Sequence, residues 1–241
     1  MSKHGVDVQF NEVFREANET TKRYRVLFGS AGSGKSVNTA QDFVIKLSDP
    51  KREGMNLLVV RGVEESNRYS TYTELVGAIN RIWGSYADEV WKFRSSPLGI
   101  QSRITGNEII FRGMSDDRQR EKIKSITFSK GKLTNIWIEE ATELRQEDVE
   151  ILDDRLRGEL DNPNLYYQIT LTFNPVSASH WIKARYFDFK SDEIFTCHST
   201  YLDNRFIDEK YHKRMMERAI IDPEGYQVYG LTVYRGHIKP A

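Results

Sequence analysis

The chain has 241 residues, 39% of them hydrophobic, enough for one sizeable core with at most a small appendage. Lysine plus arginine equals aspartate plus glutamate at 35 each, so no overall field draws in polyanions, and any nucleic-acid contact must come from a local patch. The lone Cys197 excludes an internal disulfide, no apolar run approaches the ~18 residues of a membrane helix, and the polar start Met1-Ser2-Lys3-His4-Gly5 carries no secretory signal, which together predict a reducing cytoplasm.

Arg25 to Phe28 reads as a short apolar strand ahead of a glycine-rich loop. Val37, Ala40, Val44 and Leu47 then recur at helical intervals as far as Ser48-Asp49-Pro50, where proline stops the helix. Asn56 to Val60 is a continuous apolar run, the mark of a parallel strand covered on both faces. Tyr72, Leu75, Val76, Ile79, Ile82 and Trp83 outline a second helix ending near Gly84. Ile100 to Ile104 and Glu108 to Phe111, joined by Thr105-Gly106-Asn107, predict a hairpin at an insertion or sheet edge. After the charged stretch Ser115 to Lys124, Thr134 to Ile138 is a third core strand ending in Glu139-Glu140, and a helix carrying Val149, Leu152, Leu156 and Leu160 follows. Tyr166 to Phe173 and Glu193 to Thr200 are the remaining strands. This alternation predicts an α/β fold, a mostly parallel central sheet flanked by helices. From Tyr201 the chain reads as helical up to Pro223 and irregular beyond it, dividing a core at 1–200 from a helical or linker segment at 201–241.

Between the first strand and its helix lies Gly29-Ser30-Ala31-Gly32-Ser33-Gly34-Lys35-Ser36, the spacing of a P-loop (Walker A), and the flanking elements supply the context that motif needs. Its glycines let backbone N–H groups approach phosphate oxygens, Lys35 reaches the β- and γ-phosphates of ATP, and Ser36 holds Mg²⁺. Glu139 and Glu140 stand at the carboxyl end of a buried strand, where open α/β sheets bind ligands. Glu139 is expected at the metal, in a Walker B position where many NTPases have aspartate, and Glu140 at the water that attacks the γ-phosphate. Taken alone, acidic residues there would also suit a following helix N-terminus. In Thr172-Phe173-Asn174-Pro175, Asn174 closes the next strand where it could sense hydrolysis and Pro175 would stiffen the exit, although Asn-Pro is equally a common turn. Arg61 and Arg68 flank the end of the second strand, either as phosphate contacts or as ordinary solvated arginines. Arg118, Arg120, Lys122 and Lys124 recur at every second position, suited to a DNA groove, to a neighbour's ATP site, or to a solvated loop of mixed charge. Arg155 and Arg157, on the helix after the carboxylates, are rival arginine-finger candidates. The five histidines show no metal-ligand spacing.

Several stretches in order carry a resemblance to a family: Arg25 through Ser36, Val60-Arg61, Thr105 through Gly113, Glu121 through Ser125, Ile136-Trp137-Ile138-Glu139-Glu140-Ala141-Thr142-Glu143-Leu144, Thr172 through Pro175, and Thr200 through Asn204. Over about residues 10–236 the chain resembles the ATPase part of a tailed-bacteriophage large terminase subunit. The resemblance implies an ASCE-type P-loop ATPase that uses ATP and Mg²⁺ to move double-stranded DNA into a procapsid. It implies docking as a homo-oligomeric ring on the portal protein in the host cytoplasm, working with a small terminase subunit, and a monomer in solution is compatible with it; no membrane is involved. Arg23 and Tyr24 would contact adenine by the same analogy. Many relatives have a basic residue within the loop where this chain has Ala31, which favours an arginine from a neighbouring subunit. The chain stops at about the place where the family's nuclease domain would begin, so nuclease activity is not expected from it. The alternative reading is a helicase- or repair-type P-loop ATPase acting on nucleic acid; a small-molecule kinase or a nucleotide-dependent scaffold fits the paired carboxylates less well.

Overall fold

The computed structural model describes residues 8–174, 177 and 179–226. In chain order its main elements are β1 (Tyr24–Gly29), α1 (Lys35–Ser48), β2 (Met55–Arg61), α2 (Thr71–Trp83), β3 (Trp91–Ser95), β4 (Leu98–Ser102) and β5 (Glu108–Gly113). They continue with α3 (Asp117–Lys124), β6 (Lys132–Glu139), α4 (Gln146–Asp153), β7 (Gln168–Phe173), β8 (Ile194–Ser199) and α5 (Glu209–Ile221).

The strands form one sheet in the order β3-β4-β5-β2-β6-β7-β1-β8. Six neighbouring strands, from β5 across to β8, run parallel, and only β3 and β4 at one edge pair antiparallel. Parallel strands are covered on both faces and therefore read as unbroken apolar runs. Along β2, Leu57 and Val59 join Trp137, Phe43, Leu47, Leu75 and Ile79 under α1 and α2, while Leu58 and Val60 join Ile136, Ile138, Val149 and Leu152 on the α4 side. Successive side chains point to opposite faces, so one strand feeds both cores.

This order positions the site. β7 is inserted between the loop strand β1 and the carboxylate strand β6, and all three end at the same edge of the sheet. The glycine loop, Glu139-Glu140 and Asn174 are thereby brought to one rim, where ligands of open α/β sheets bind.

Several expectations change in detail. The hairpin exists, but its connection spans 103–107 and it is extended by β3, whose Trp-Lys-Phe-Arg-Ser run at a sheet edge carries too little apolar periodicity to stand out. The stretch Ser115 to Lys124 is no loop: Asp116 caps α3 by accepting from Gln119 N at 2.9 Å, and Ile123 is fully buried. On a helix, positions two apart point to opposite sides, so Arg118, Arg120, Lys122 and Lys124 do not line one groove. The helix after the carboxylates ends at Asp153, which leaves Arg155, Leu156, Arg157 and Leu160 beyond it. Val37 is 39% exposed and lines a cavity with Gly34 and Asn38 instead of joining the core. Pro175 and the stretch 227–241 lie outside the described residues.

Candidate active site

The loop leaves β1 at Gly29, where a Cβ would fall 1.7 Å from the Ser199 carbonyl oxygen of β8, so only glycine lets the two backbones pass. Gly34, at φ 86° and ψ 10°, is the left-handed residue that turns the chain into α1. The helix N-terminus behind the loop adds its partial positive charge to the site. Beneath the loop the Lys35 ammonium donates to the carbonyls of Gly29 (2.9 Å) and Ser30 (2.9 Å), to Ser33 Oγ (3.1 Å) and to Asn174 Oδ1 (3.0 Å). Burial lowers its pKa to about 8 against the opposing pull of Glu139 and Glu140, so at neutral pH it remains a cation.

The two carboxylates have different surroundings. Glu139 is buried, accepts from Ser36 Oγ at 2.6 Å on one oxygen and from the Thr172 hydroxyl on the other, and Thr172 in turn accepts from Trp137 Nε1 at 2.7 Å. Burial raises its pKa, and the Ser36 and Thr172 bonds offset part of the rise. Glu140 is the only non-glycine residue with positive φ among those described, at φ 52° and ψ 54°. A bulky side chain held in that region marks local backbone strain, which collects at functional sites. Its pKa is raised chiefly by burial, with Arg61 and Lys35 pulling it down and Glu143 pushing it up. No hydrogen bond to its carboxylate occurs among the described residues. Arg61 is held in place by Glu143, at 2.7 and 3.2 Å, and by Ser70 at 2.9 Å. Glu143 and Thr172, though within the stretches that carry the resemblance, and Ser70 were given no role from sequence, because their parts in the site come from contacts across strands and turns.

Segments from both ends of the fold clasp the loop. Tyr201 N donates to Ser30 Oγ (2.8 Å), Asn204 Nδ2 to the Gly32 carbonyl (2.8 Å) and Asn11 Nδ2 to Asn204 Oδ1 (3.1 Å). Between them, beside Gly34, opens a cavity of ≈ 430 Å³ lined by Gln9, Phe10, Val37, Gln41, Arg81 and Phe206 among others.

Residues 21–232 match the family described as phage terminase large subunit. The chain belongs to that family. It is 33% identical over 206 residues to the terminase large subunit of Bacillus phage SPP1, a match covering 84% of this chain and 46% of that protein. Against the PBSX phage terminase large subunit of Bacillus subtilis (strain 168) the identity is 30% over 224 residues, covering 85% and 48%. The chain thus spans about half the length of the curated relatives it matches. Its fold is that of the large terminase from a thermophilic bacteriophage in complex with ADP, at a TM-score of 0.69 and 17% identity, covering 92% of this chain and 51% of that one.

Within this terminase fold, not every expected site residue reaches the loop. Tyr24 begins β1 and Arg23 precedes it, about 16 Å or more from the Gly29 end by strand rise. They are occupied by Asp153, which accepts from Arg23 Nε (2.8 Å) and from the Tyr24 hydroxyl (2.9 Å). An adenine contact by these two residues is therefore not where the structure puts them, and the cavity beside Gly34 is the neighbouring space instead. Arg120 is locked by Asp148 (2.6 Å) and Asp117 (2.7 Å). Arg155 donates to the Ile126 carbonyl at 3.3 Å, and Arg157 lies at the opposite end of the sheet, its carbonyl accepting from the Tyr167 hydroxyl ahead of β7. Arg118 is exposed on α3, at the same rim as the loop, with no ion pair among the described residues.

Proposed function

We propose that this chain is the ATP-hydrolysing motor part of a large terminase and drives double-stranded DNA into a viral procapsid. The convergence of the Lys35 loop, the Ser36–Glu139 pair and the Glu140 carboxylate at one rim carries the reading. ATP lays its phosphates on Gly29 to Ser36, and Lys35 exchanges loop carbonyls for β- and γ-phosphate oxygens. The base and ribose extend toward the cavity beside Gly34, where Val37, Phe10 and Phe206 offer apolar surface and Gln9 and Gln41 offer amides. Glu140 orients the attacking water and takes its proton, and the upward shift of its pKa makes it a better base than an ordinary carboxylate. Asn174, bonded to Lys35, stands where loss of the terminal phosphate would be felt first.

Ser36 and Glu139 fit a magnesium ion. Both present hard oxygen donors, and a divalent cation would keep the buried carboxylate ionised. Bound there, the ion would neutralise phosphate charge.

Family membership supports the remaining parts of the reading: portal protein and small terminase subunit as partners, a ring of copies on the procapsid and action in the host cytoplasm; the division into a core at 1–200 and a helical subdomain or linker at 201–241 is proposed with them. Phosphate release by the purified chain tests it. Turnover stimulated by portal-bearing procapsids with linear double-stranded DNA supports the motor; turnover stimulated by single-stranded DNA alone would make the helicase-type reading the correct one.

A further inference from the structure

The loop has two ends. At Gly34 and Val37 it borders the cavity assigned to the base; at Ala31 it borders a second cavity of ≈ 430 Å³ lined by Ala31, Tyr211, Arg214, Met215 and Arg218. The four α5 residues are spaced i, i+3, i+4 and i+7, one face of a helix. Met215 anchors that face, at 4% exposure, and the Tyr211 hydroxyl lies 3.4 Å from the Ala31 carbonyl oxygen. Over the Tyr211 ring, at 4.9 Å from its centroid, sits the Arg214 guanidinium. Arg218 has Asp222 at 3.5 Å, whereas no ion pair to Arg214 occurs among the described residues.

With the base at the Gly34 end, the terminal phosphate falls toward the Ala31 end, on the side of Lys35 and Glu140. Lys35 is the one cation in the loop itself and approaches from beneath, where it bonds the carbonyls of Gly29 and Ser30. A terminal phosphoryl group carries more negative charge than one ammonium neutralises, and a guanidinium above the loop is the chemistry that completes its coordination.

Resting on the nucleotide reading above, we propose that Arg214 contacts the terminal phosphate of ATP bound in its own chain, with Tyr211 as the platform that holds the guanidinium over Ala31. Arg214 thereby makes α5 an element that distinguishes ATP from ADP. Because Arg214 is exposed and makes no structural ion pair among the described residues, removing it leaves the fold in place.

The test measures the affinities of the wild-type chain and of Arg214→Ala, Arg218→Ala and Lys35→Ala for fluorescent ATP-gamma-S and fluorescent ADP. Arg214→Ala is expected to weaken ATP-gamma-S binding about 10-fold or more, the value of one charge-assisted contact, while ADP binding stays within about twofold. Arg218→Ala is expected to leave both within about twofold. The proposal is overturned if Arg214→Ala leaves ATP-gamma-S unchanged, or if it weakens both nucleotides equally, which would assign α5 a packing role only. Failure of the nucleotide reading itself looks different: wild type would bind neither analogue, or Lys35→Ala would bind both as well as wild type.

Discussion

Lys35 and Glu140 face the same rim but act on different atoms, and their variants are expected to fail differently. Lys35 has its charge under the loop, donating to four acceptors, and its work is on phosphate. Replacing it with alanine should weaken ATP binding by about 10-fold or more. Glu140 makes no hydrogen bond to the chain through its carboxylate among the described residues, and its work is on water. Glu140→Gln should bind ATP within about threefold of wild type while turnover drops by roughly 10² or more. Titration with a fluorescent ATP analogue and phosphate-release assays on the same preparations check the pair, and equal loss of affinity in both variants would refute the division of labour. Cys197 offers a different residue-scale expectation. Burial, the largest cause, pushes its thiol up to about 11, so at pH 8 nearly all of it is the unreactive protonated form. A disulfide reagent at pH 8 should label the folded chain slowly and the urea-unfolded chain promptly; prompt labelling of the folded chain would show the strand β8 environment to be open.

The elements were legible in proportion to how much of their stability is local. α1 announced itself through Ala40, Val44 and Leu47 and stopped at Pro50, β2 was plain because a strand buried on both faces has no polar side to break its run, and β6 and β7 stood out through their β-forming residues. β3 and α3 were not: an edge strand needs few apolar residues, and a charged helix held by one buried isoleucine and a capping aspartate looks like a loop. At the site, the loop spacing and Glu139-Glu140 are sequence patterns, whereas the adenine role of Arg23 and Tyr24 came from family analogy alone, and the strand between them and the loop keeps the two apart in space. Arg25 is the clearest limit. Read as part of an apolar run, it is a fully buried guanidinium whose Nη1 donates to Asp42 at 2.5 Å and whose Nε donates to Thr170 at 3.0 Å, and Asp42 also accepts from Lys46 at 2.8 Å. This ion triad joins β1 to α1, and the bond to Thr170 ties it to β7. Asp42→Ala would leave two buried cations without their anion, which is expected to cost about 3–5 kcal/mol. Urea denaturation measures it, and a loss below about 1 kcal/mol would mean that water reaches the triad.

At the scale of the whole molecule, the positive charge around the terminal phosphate decides whether one chain completes the site. Ala31 supplies no charge, Arg61 is committed to Glu143 and Ser70, Arg214 is assigned above to the terminal phosphate of bound ATP, and a further arginine that acts in the transition state is worth about 10³–10⁵ in rate. The isolated chain is therefore expected to be a poor ATPase that improves on assembly, with an arginine of the neighbouring copy completing each site. Among the sequence candidates the geometry favours Arg118, exposed on α3 at the rim that carries the loop, over Arg120, tied to Asp148 and Asp117, and over Arg155 and Arg157, which lie past α4. Arg68 is a second exposed guanidinium at that rim, bonded to the Ser95 carbonyl at 2.9 Å. Mixing two inactive proteins separates these cases. Glu140→Gln keeps the arginine and lacks the base; Arg118→Ala or Arg68→Ala keeps the base and lacks the arginine. Under assembling conditions some interfaces then pair an intact Glu140 with an intact arginine from the next copy, and partial recovery of turnover is expected for the arginine that acts across the interface and for no other. A site complete within one chain gives the opposite pattern: turnover strictly proportional to protein concentration and no recovery on mixing. Arg214, at the Ala31 end of the loop, would then be the residue supplying the charge, with Arg61 close enough to Glu140 to lower its pKa.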